Sequence, residues 1–111
     1  MEVNTERVGQ SLLVRINGEL DHHTADQVRN IIDYELDKEI AKNVVLNLKG
    51  LTFMDSSGLG VIMGRYRRVT QNGGKLVACQ INPQIRRVFD LSGLPRILTV
   101  YKNEADALDQ L

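Results

Sequence analysis

One cysteine, Cys79, occurs in the 111 residues, so no internal disulfide can hold this chain together. Net charge is also missing: fourteen Lys and Arg balance fourteen Asp and Glu. That removes the long-range field on which non-specific binding to nucleic acid or to an anionic membrane depends. No apolar run approaches the roughly 20 residues of a membrane-spanning helix, and no basic, apolar leader opens the chain. The expectation is a soluble cytoplasmic protein with no direct contact to DNA and none to membrane. Internal repeats and low-complexity segments are absent. So are the common cofactor signatures. His22-His23 has no cysteine or carboxylate cluster at ligand spacing, so no metal is expected. Gly58-x-Gly60-x-x-x-Gly64 departs by one position from the dinucleotide fingerprint, and Gly74-Lys75 is followed by Leu76, which rules out a Walker loop. No cofactor is expected at all.

What remains is a chain with 42% hydrophobic residues, enough for one packed core, and a length that fits one domain over residues 1–111. Val3, Thr5 and Arg7 alternate with polar residues, Gly9-Gln10 signals a turn, and Leu12 to Ile16 reads as a second strand, giving an opening hairpin. Gly18 to His23 reads as a connection. Thr24 with Gln27 fits a capping box, and Val28, Ile31, Ile32, Leu36 and Ile40 form the apolar stripe of the helix that follows. Val44 to Leu48 is continuously apolar, as a buried central strand requires. A helix after Ser57 should bury Leu59, Ile62, Met63, Tyr66 and Val69 and end at Gly73-Gly74. Leu76 to Cys79 is a strand. Asn82 and Pro83 start a helix that buries Ile85, Val88 and Phe89. Ile97 to Tyr101 is the last strand, and Asn103 caps a short final helix. Phe53 and Phe89 read as core. The order ββαβαβαβα predicts an α/β fold, with a mixed, mostly parallel sheet of four to five strands. Parallel crossovers then bring the connections after Leu20, Phe53 and Gln80 to one rim of the sheet.

On that rim lies Met54-Asp55-Ser56-Ser57-Gly58-Leu59-Gly60, a change from strand to helix that carries two hydroxyls. A helix start leaves amides unpaired and bears partial positive charge. A serine there can be a cap, a nucleophile or a phosphate acceptor. The nucleophile elbow G-x-S-x-G lacks its first glycine here. A small serine esterase using Ser56 or Ser57 with His22 or His23 is the alternative that this leaves. At about 100° per residue, Gly60, Gly64, Arg67 and Gln71 share the side of Ser56, away from the apolar stripe. A face without side chains beside a serine favours the close approach of another protein. Close packing inside the domain is the competing explanation for the two glycines. A phosphate on that serine would meet free amides and block such a docking. Arg65, Arg67 and Arg68 read as a basic patch, with Arg86 and Arg87 a smaller one.

Gly18-Glu19-Leu20-Asp21-His22-His23-Thr24-Ala25, Phe53 to Val61 and Leu91-Ser92-Gly93-Leu94 together resemble the STAS domain family of anti-sigma factor antagonists, a likeness covering nearly the whole chain. The resemblance implies a partner that is both an anti-sigma factor and a serine kinase. Binding it would release a sporulation sigma factor. Phosphorylation of Ser56, the first serine of the motif, would end that binding, and a PP2C-type phosphatase would restore it. Ser57 stands where general-stress antagonists often have threonine, and Asp21 falls in the partner interface of the family. The expected partner-binding set is Asp21, His22, Thr24, Ser56, Ser57, Gly58, Gly60, Gly64 and Arg67. Small-ligand binding, as in some transport-associated STAS domains, would call for an apolar pocket, for which no surplus of apolar residues is left over.

Overall fold

The opening hairpin forms as its alternation requires. β1 (Glu2–Val8) pairs antiparallel with β2 (Ser11–Leu20), Val8 opposite Ser11 across Gly9-Gln10. The computed structural model describes all 111 residues. The remaining elements are α1 (Ala25–Asp37), β3 (Asn43–Asn47), β4 (Leu51–Met54), α2 (Ser56–Gln71), β5 (Leu76–Cys79), α3 (Pro83–Leu91), a 3₁₀ turn over Leu94–Arg96, β6 (Val100–Tyr101) and α4 (Glu104–Asp109). The sheet runs β1-β2-β3-β5-β6, with β4 added on β2. Every pairing except β1–β2 is parallel. The α/β class and the mixed, mostly parallel sheet agree with the sequence, but there are six strands.

The sixth strand is β4, in a stretch to which the sequence pattern assigns no element of its own. It forms because β2 does not stop at Ile16. β2 continues through Gly18, where the register shifts, and its last residues pair with β4: Gly18 with Leu51, Glu19 with Phe53, Leu20 with Met54. A glycine inside a strand more often marks a bulge than an end. β3 and β4 are thus successive pieces of one run of chain, bent at 48–50, both parallel to β2. Asn82 fixes the bend. Its amide donates to the Lys49 carbonyl (2.9 Å) and to that of Leu51, while its Oδ1 accepts from the Gln84 and Ile85 amides and caps α3.

The sheet is covered unequally. On one face α1, α2 and α3 pack over Leu12, Val14, Ile16, Val44, Leu46, Leu76 and Ala78 in a core of 22 buried residues. On the other, α4 alone covers Leu13, Val45, Val77 and Cys79 through Ala107. Strands covered on both faces carry apolar residues at every position. The Val44–Leu48 run follows from that. A bidentate ion pair anchors α4: Arg15 donates to the two Glu104 oxygens at 2.7 and 2.8 Å, and Asn47 donates to Glu104 at 2.7 Å. The Arg15 bonds hold the Glu104 carboxyl below its ordinary range, against partial desolvation, with Asn47 adding to the effect.

Several local expectations need correction. Thr24 forms no capping box: its hydroxyl donates to the Glu19 carbonyl at 2.6 Å and accepts from the Asp21 amide at 3.0 Å. α1 ends at Asp37, so Ile40 falls outside it and is 51% exposed. Phe53 (47% exposed) and Val88 (44%) are not core, whereas Phe89 is fully buried. β4 is a short strand paired only with β2, and the nine-residue α3 buries only the narrow stripe of Ile85 and Phe89. The expected last strand, Ile97 to Tyr101, pairs only at Val100 and Tyr101; it is preceded by the 3₁₀ turn over Leu94–Arg96, which Gly93 starts in the left-handed region. The Gly73-Gly74 stop forms as expected. Gly73 takes φ +80°, and the two amides bond back to Thr70 and Val69 in a Schellman closure.

Candidate functional site

The β2–β4 pairing builds the site. Because Leu20 stands opposite Met54, Asp21 and Asp55 leave the sheet side by side, and the Asp55 amide donates to the Leu20 carbonyl at 3.3 Å. The strand invisible in the sequence is therefore what brings the Asp21-His22 loop to the serine loop.

The Asp21 loop is a closed local structure. Oδ1 of Asp21 accepts from the amides of His23 (2.9 Å) and Thr24 (3.2 Å). Desolvation raises the Asp21 carboxyl, but these bonds and the Thr24 hydroxyl outweigh it and hold the group below its ordinary value. His22 projects from this loop with Nδ1 3.8 Å from Oδ2 of Asp55.

Asp55 is the cap of α2. Its backbone is extended, and Oδ1 accepts from the amides of Ser57 (2.9 Å) and Gly58 (3.2 Å). With its own amide on Leu20, three of the four orphan donors at this helix start are satisfied, leaving the Ser56 amide. This corrects the picture of a phosphate seated among free amides. Ser56, at the first helical position, is exposed, and a phosphate on it would project outward beside the Asp55 carboxylate. Neither serine hydroxyl is hydrogen-bonded to an imidazole. His22 turns to Asp55 instead, so no serine–histidine dyad is assembled.

The glycines of α2 divide into two kinds. Gly58 is buried, and a Cβ there would stand 2.6 Å from the Leu20 carbonyl oxygen, so its bareness serves contact inside the domain. At Gly60 and Gly64 an added Cβ would meet nothing within 4 Å, so close internal packing does not explain them. Ser56, Gly60, Arg67 and Gln71 are exposed along one side of the helix, with Gly64 half-exposed among them. The buried side is Gly58, Val61, Ile62 and Val69, while Leu59, Met63 and Tyr66 are only half-buried. The fully buried positions are thus rotated from the expected stripe, and Arg65 tucks under α1, with Nε 3.1 Å from Asp33 Oδ1. Arg68 reaches Asp33 (3.3 Å) and Asp37 (2.6 Å). The expected basic patch is thus an inter-helix ion-pair network, and Arg67 alone of the three stands free on the Ser56 side.

Asp21, His22, Thr24, Ser56, Ser57, Gly60, Gly64 and Arg67 all lie on this rim or on the adjoining face of α2. Gly58 contributes only backbone from beneath.

The sequence matches the STAS domain family over residues 2–107. It is 46% identical over 111 residues to an anti-sigma F factor antagonist of Paenibacillus polymyxa, covering all of this chain and 95% of that protein. Its fold is similar to the anti-sigma factor antagonist SpoIIAA in its unphosphorylated form: TM-score 0.84, 32% identity, 98% of this chain and 95% of the other. It is similar also to the Bacillus cell fate determinant SpoIIAA in the phosphorylated form: TM-score 0.76, 31% identity, 98% of each chain.

Proposed function

Because the chain belongs to the STAS domain family, and its rim holds an exposed serine beside a bare helix face, we propose that it is an anti-sigma factor antagonist switched by phosphorylation of Ser56. The unmodified protein docks on an anti-sigma factor that is also a serine kinase, through Asp21, His22, Thr24, Ser56, Ser57 and the Gly60–Gly64 face, and releases a sporulation sigma factor. The kinase transfers phosphate to the Ser56 hydroxyl, and a PP2C-type phosphatase removes it.

The observation that carries this reading is the arrangement of α2: Ser56 is exposed on the side of the helix where Gly60 and Gly64 leave open space. Asp55 already holds the helix start, so the fold does not depend on the Ser56 hydroxyl. A phosphate adds nearly two negative charges and three acceptor oxygens. Placed beside Asp55 and next to a closely apposed partner, it brings bulk, desolvation and like-charge repulsion to the interface while the domain stays folded. The similarity to structures of an antagonist in both unphosphorylated and phosphorylated forms supports the same cycle.

The test is incubation with the cognate kinase and ATP, followed by mass spectrometry of the modified residue. One phosphate on Ser56 is expected. Ser56→Ala should bind the kinase and not be released by ATP, and Ser56→Asp should bind poorly. Phosphate on another residue, or tight binding by Ser56→Asp, would overturn the reading.

A further inference from the structure

The sheet face under α4 is built in two rows. Leu13, Val45 and Val77 stand side by side across β2, β3 and β5, and two residues further along Arg15, Asn47 and Cys79 do the same. The first row is apolar and buried, and so is Cys79 in the second. α4 spans both rows. Ala107 packs with Leu13, Val45, Val77 and Cys79, while the Glu104 carboxylate accepts from Arg15 and Asn47.

This cover is thin. Within α4 only Ala107 is fully buried; Leu108 is half-buried, and Ala105, Asp106 and Asp109 are exposed. A helix this short has no stability of its own, and an alanine brings little apolar area to the contact. The firmest hold on α4 is therefore polar, and it converges on one carboxylate. The other face of the sheet owes nothing to α4: Val28, Ile32, Ile85 and Phe89 close the larger core there. The bend that leads to the serine loop also has supports of its own. Asn47 Oδ1 accepts from the Lys49 amide at 3.0 Å, and Asn82 donates to the carbonyls of Lys49 and Leu51. Asn103 caps α4 from its own side, accepting from the Asp106 amide at 2.8 Å, so the cap travels with the helix. Lys102, before it, is exposed.

We propose that α4 is a latch. It lifts off as one unit about Lys102 while the sheet, the other helices and the serine rim stay folded, and it uncovers the apolar row and the Cys79 thiol. Elements with few buried apolar contacts open at a lower cost than the whole fold. Glu104 is the catch that sets how often this one opens.

Cys79 is a built-in probe, since nothing of it is exposed while the latch is shut. Labelling of the full chain by the disulfide reagent DTNB is measured at mildly alkaline pH, across urea concentrations below the unfolding transition, for the parent, Glu104→Gln and Ile32→Val. Ile32 lies in the core under α1, so Ile32→Val weakens the whole fold and leaves the latch alone. The expected labelling depends only weakly on urea and is unchanged in Ile32→Val. In Glu104→Gln it should be about thirtyfold faster, the effect of losing charge-assisted bonds at the catch. In hydrogen exchange of the parent, the Ala107 and Gln110 amides should open with Cys79, and those of Val45 and Leu46 only with the whole fold. Labelling that rises with urea as steeply as unfolding itself, or that quickens in Ile32→Val in step with its lost stability, would overturn the latch. So would an Ala107 amide protected as strongly as that of Val45. A Glu104→Gln rate equal to the parent's would overturn Glu104 as the catch. Should that variant fail to fold, the parent and Ile32→Val decide whether α4 opens alone.

Discussion

Gly60 and Gly64 can be separated from Gly58 by a single methyl group. In the interior of a helix glycine is roughly 1 kcal/mol less favourable than alanine. At Gly60 and Gly64 the added Cβ meets nothing within 4 Å, so no steric cost offsets that gain. The double variant Gly60→Ala/Gly64→Ala should therefore be about 2 kcal/mol more stable than the parent. For a domain of this length that raises Tm by about 8 °C. Gly58→Ala is the opposing control. Its Cβ would stand 2.6 Å from the Leu20 carbonyl and 2.9 Å from the Met54 side chain, and the Leu20 oxygen belongs to the backbone that joins the two loops of the site. Overpacking of this kind costs about 1–3 kcal/mol, so the same substitution two residues earlier should destabilise. Thermal and urea unfolding followed by circular dichroism read both signs. Kinase binding supplies the second half: Gly60→Leu or Gly64→Leu should keep the fold and lose at least about tenfold in affinity, since 1.4 kcal/mol of steric loss is enough for that. A double alanine variant less stable than the parent would show that the glycines serve the fold. A stabilised variant series with undiminished kinase binding would show that this face is not where the partner sits.

Other outcomes follow from the same geometry. Asp55→Ala removes the acceptor of the Ser57 and Gly58 amides and should cost about 1 kcal/mol in urea denaturation, whereas Ser56→Ala should change stability by less than about 0.5 kcal/mol; equal effects would mean that the cap is misassigned. Glu104→Gln should lose about 2 kcal/mol at neutral pH with its charge-assisted bonds to Arg15. Because the Glu104 carboxyl is held below its ordinary value, its contribution is full above an unfolded value near about 4.3 and is lost as pH falls through the lower folded value. Denaturation midpoints of parent and variant should thus converge in acid, and a constant gap would refute the ion-pair account. Burial pushes the Cys79 thiol up to about 11, with Glu104 adding and Arg15 opposing. Stability tied to the neutral thiol is therefore complete below the unfolded value near about 8.5 and lost as pH rises through the folded one. In the native protein at pH 8 a thiol reagent should label Cys79 only as fast as the fold opens, and prompt labelling would contradict its burial.

Much of the fold could be read from local pattern. The Asn82-Pro83 start, the Gly73-Gly74 stop and the apolar run over Val44–Leu48 each depend on residues adjacent in the chain, and each forms as expected. The rim, too, follows from the shared direction of parallel strands, which puts their carboxyl ends at one end of the sheet. Elements whose stability comes from elsewhere could not be read. Leu51–Met54 is too short to declare itself a strand and exists because β2 extends to meet it. Thr24 resembles a cap by spacing, but its hydroxyl is drawn to the Glu19 carbonyl on the same bent strand. Arg65 and Arg68 resemble a solvated patch until α1 is packed beside them with Asp33 and Asp37.

The serine loop shows the same division. By itself the sequence determined that a helix follows the serine motif, that Gly60 and Gly64 share the side of Ser56, and that the elbow of a nucleophile is missing, because helical phase and motif spacing are properties of consecutive residues. Only the tertiary structure decided that Asp55 has already taken the amides a phosphate would have used, that Gly58 is bare for the sake of Leu20 while Gly60 and Gly64 are bare toward open space, and that Asp21 stands beside Asp55. Those facts depend on which backbone approaches which, and that is set by the pairing of β2 with β4, two segments about thirty residues apart in the chain.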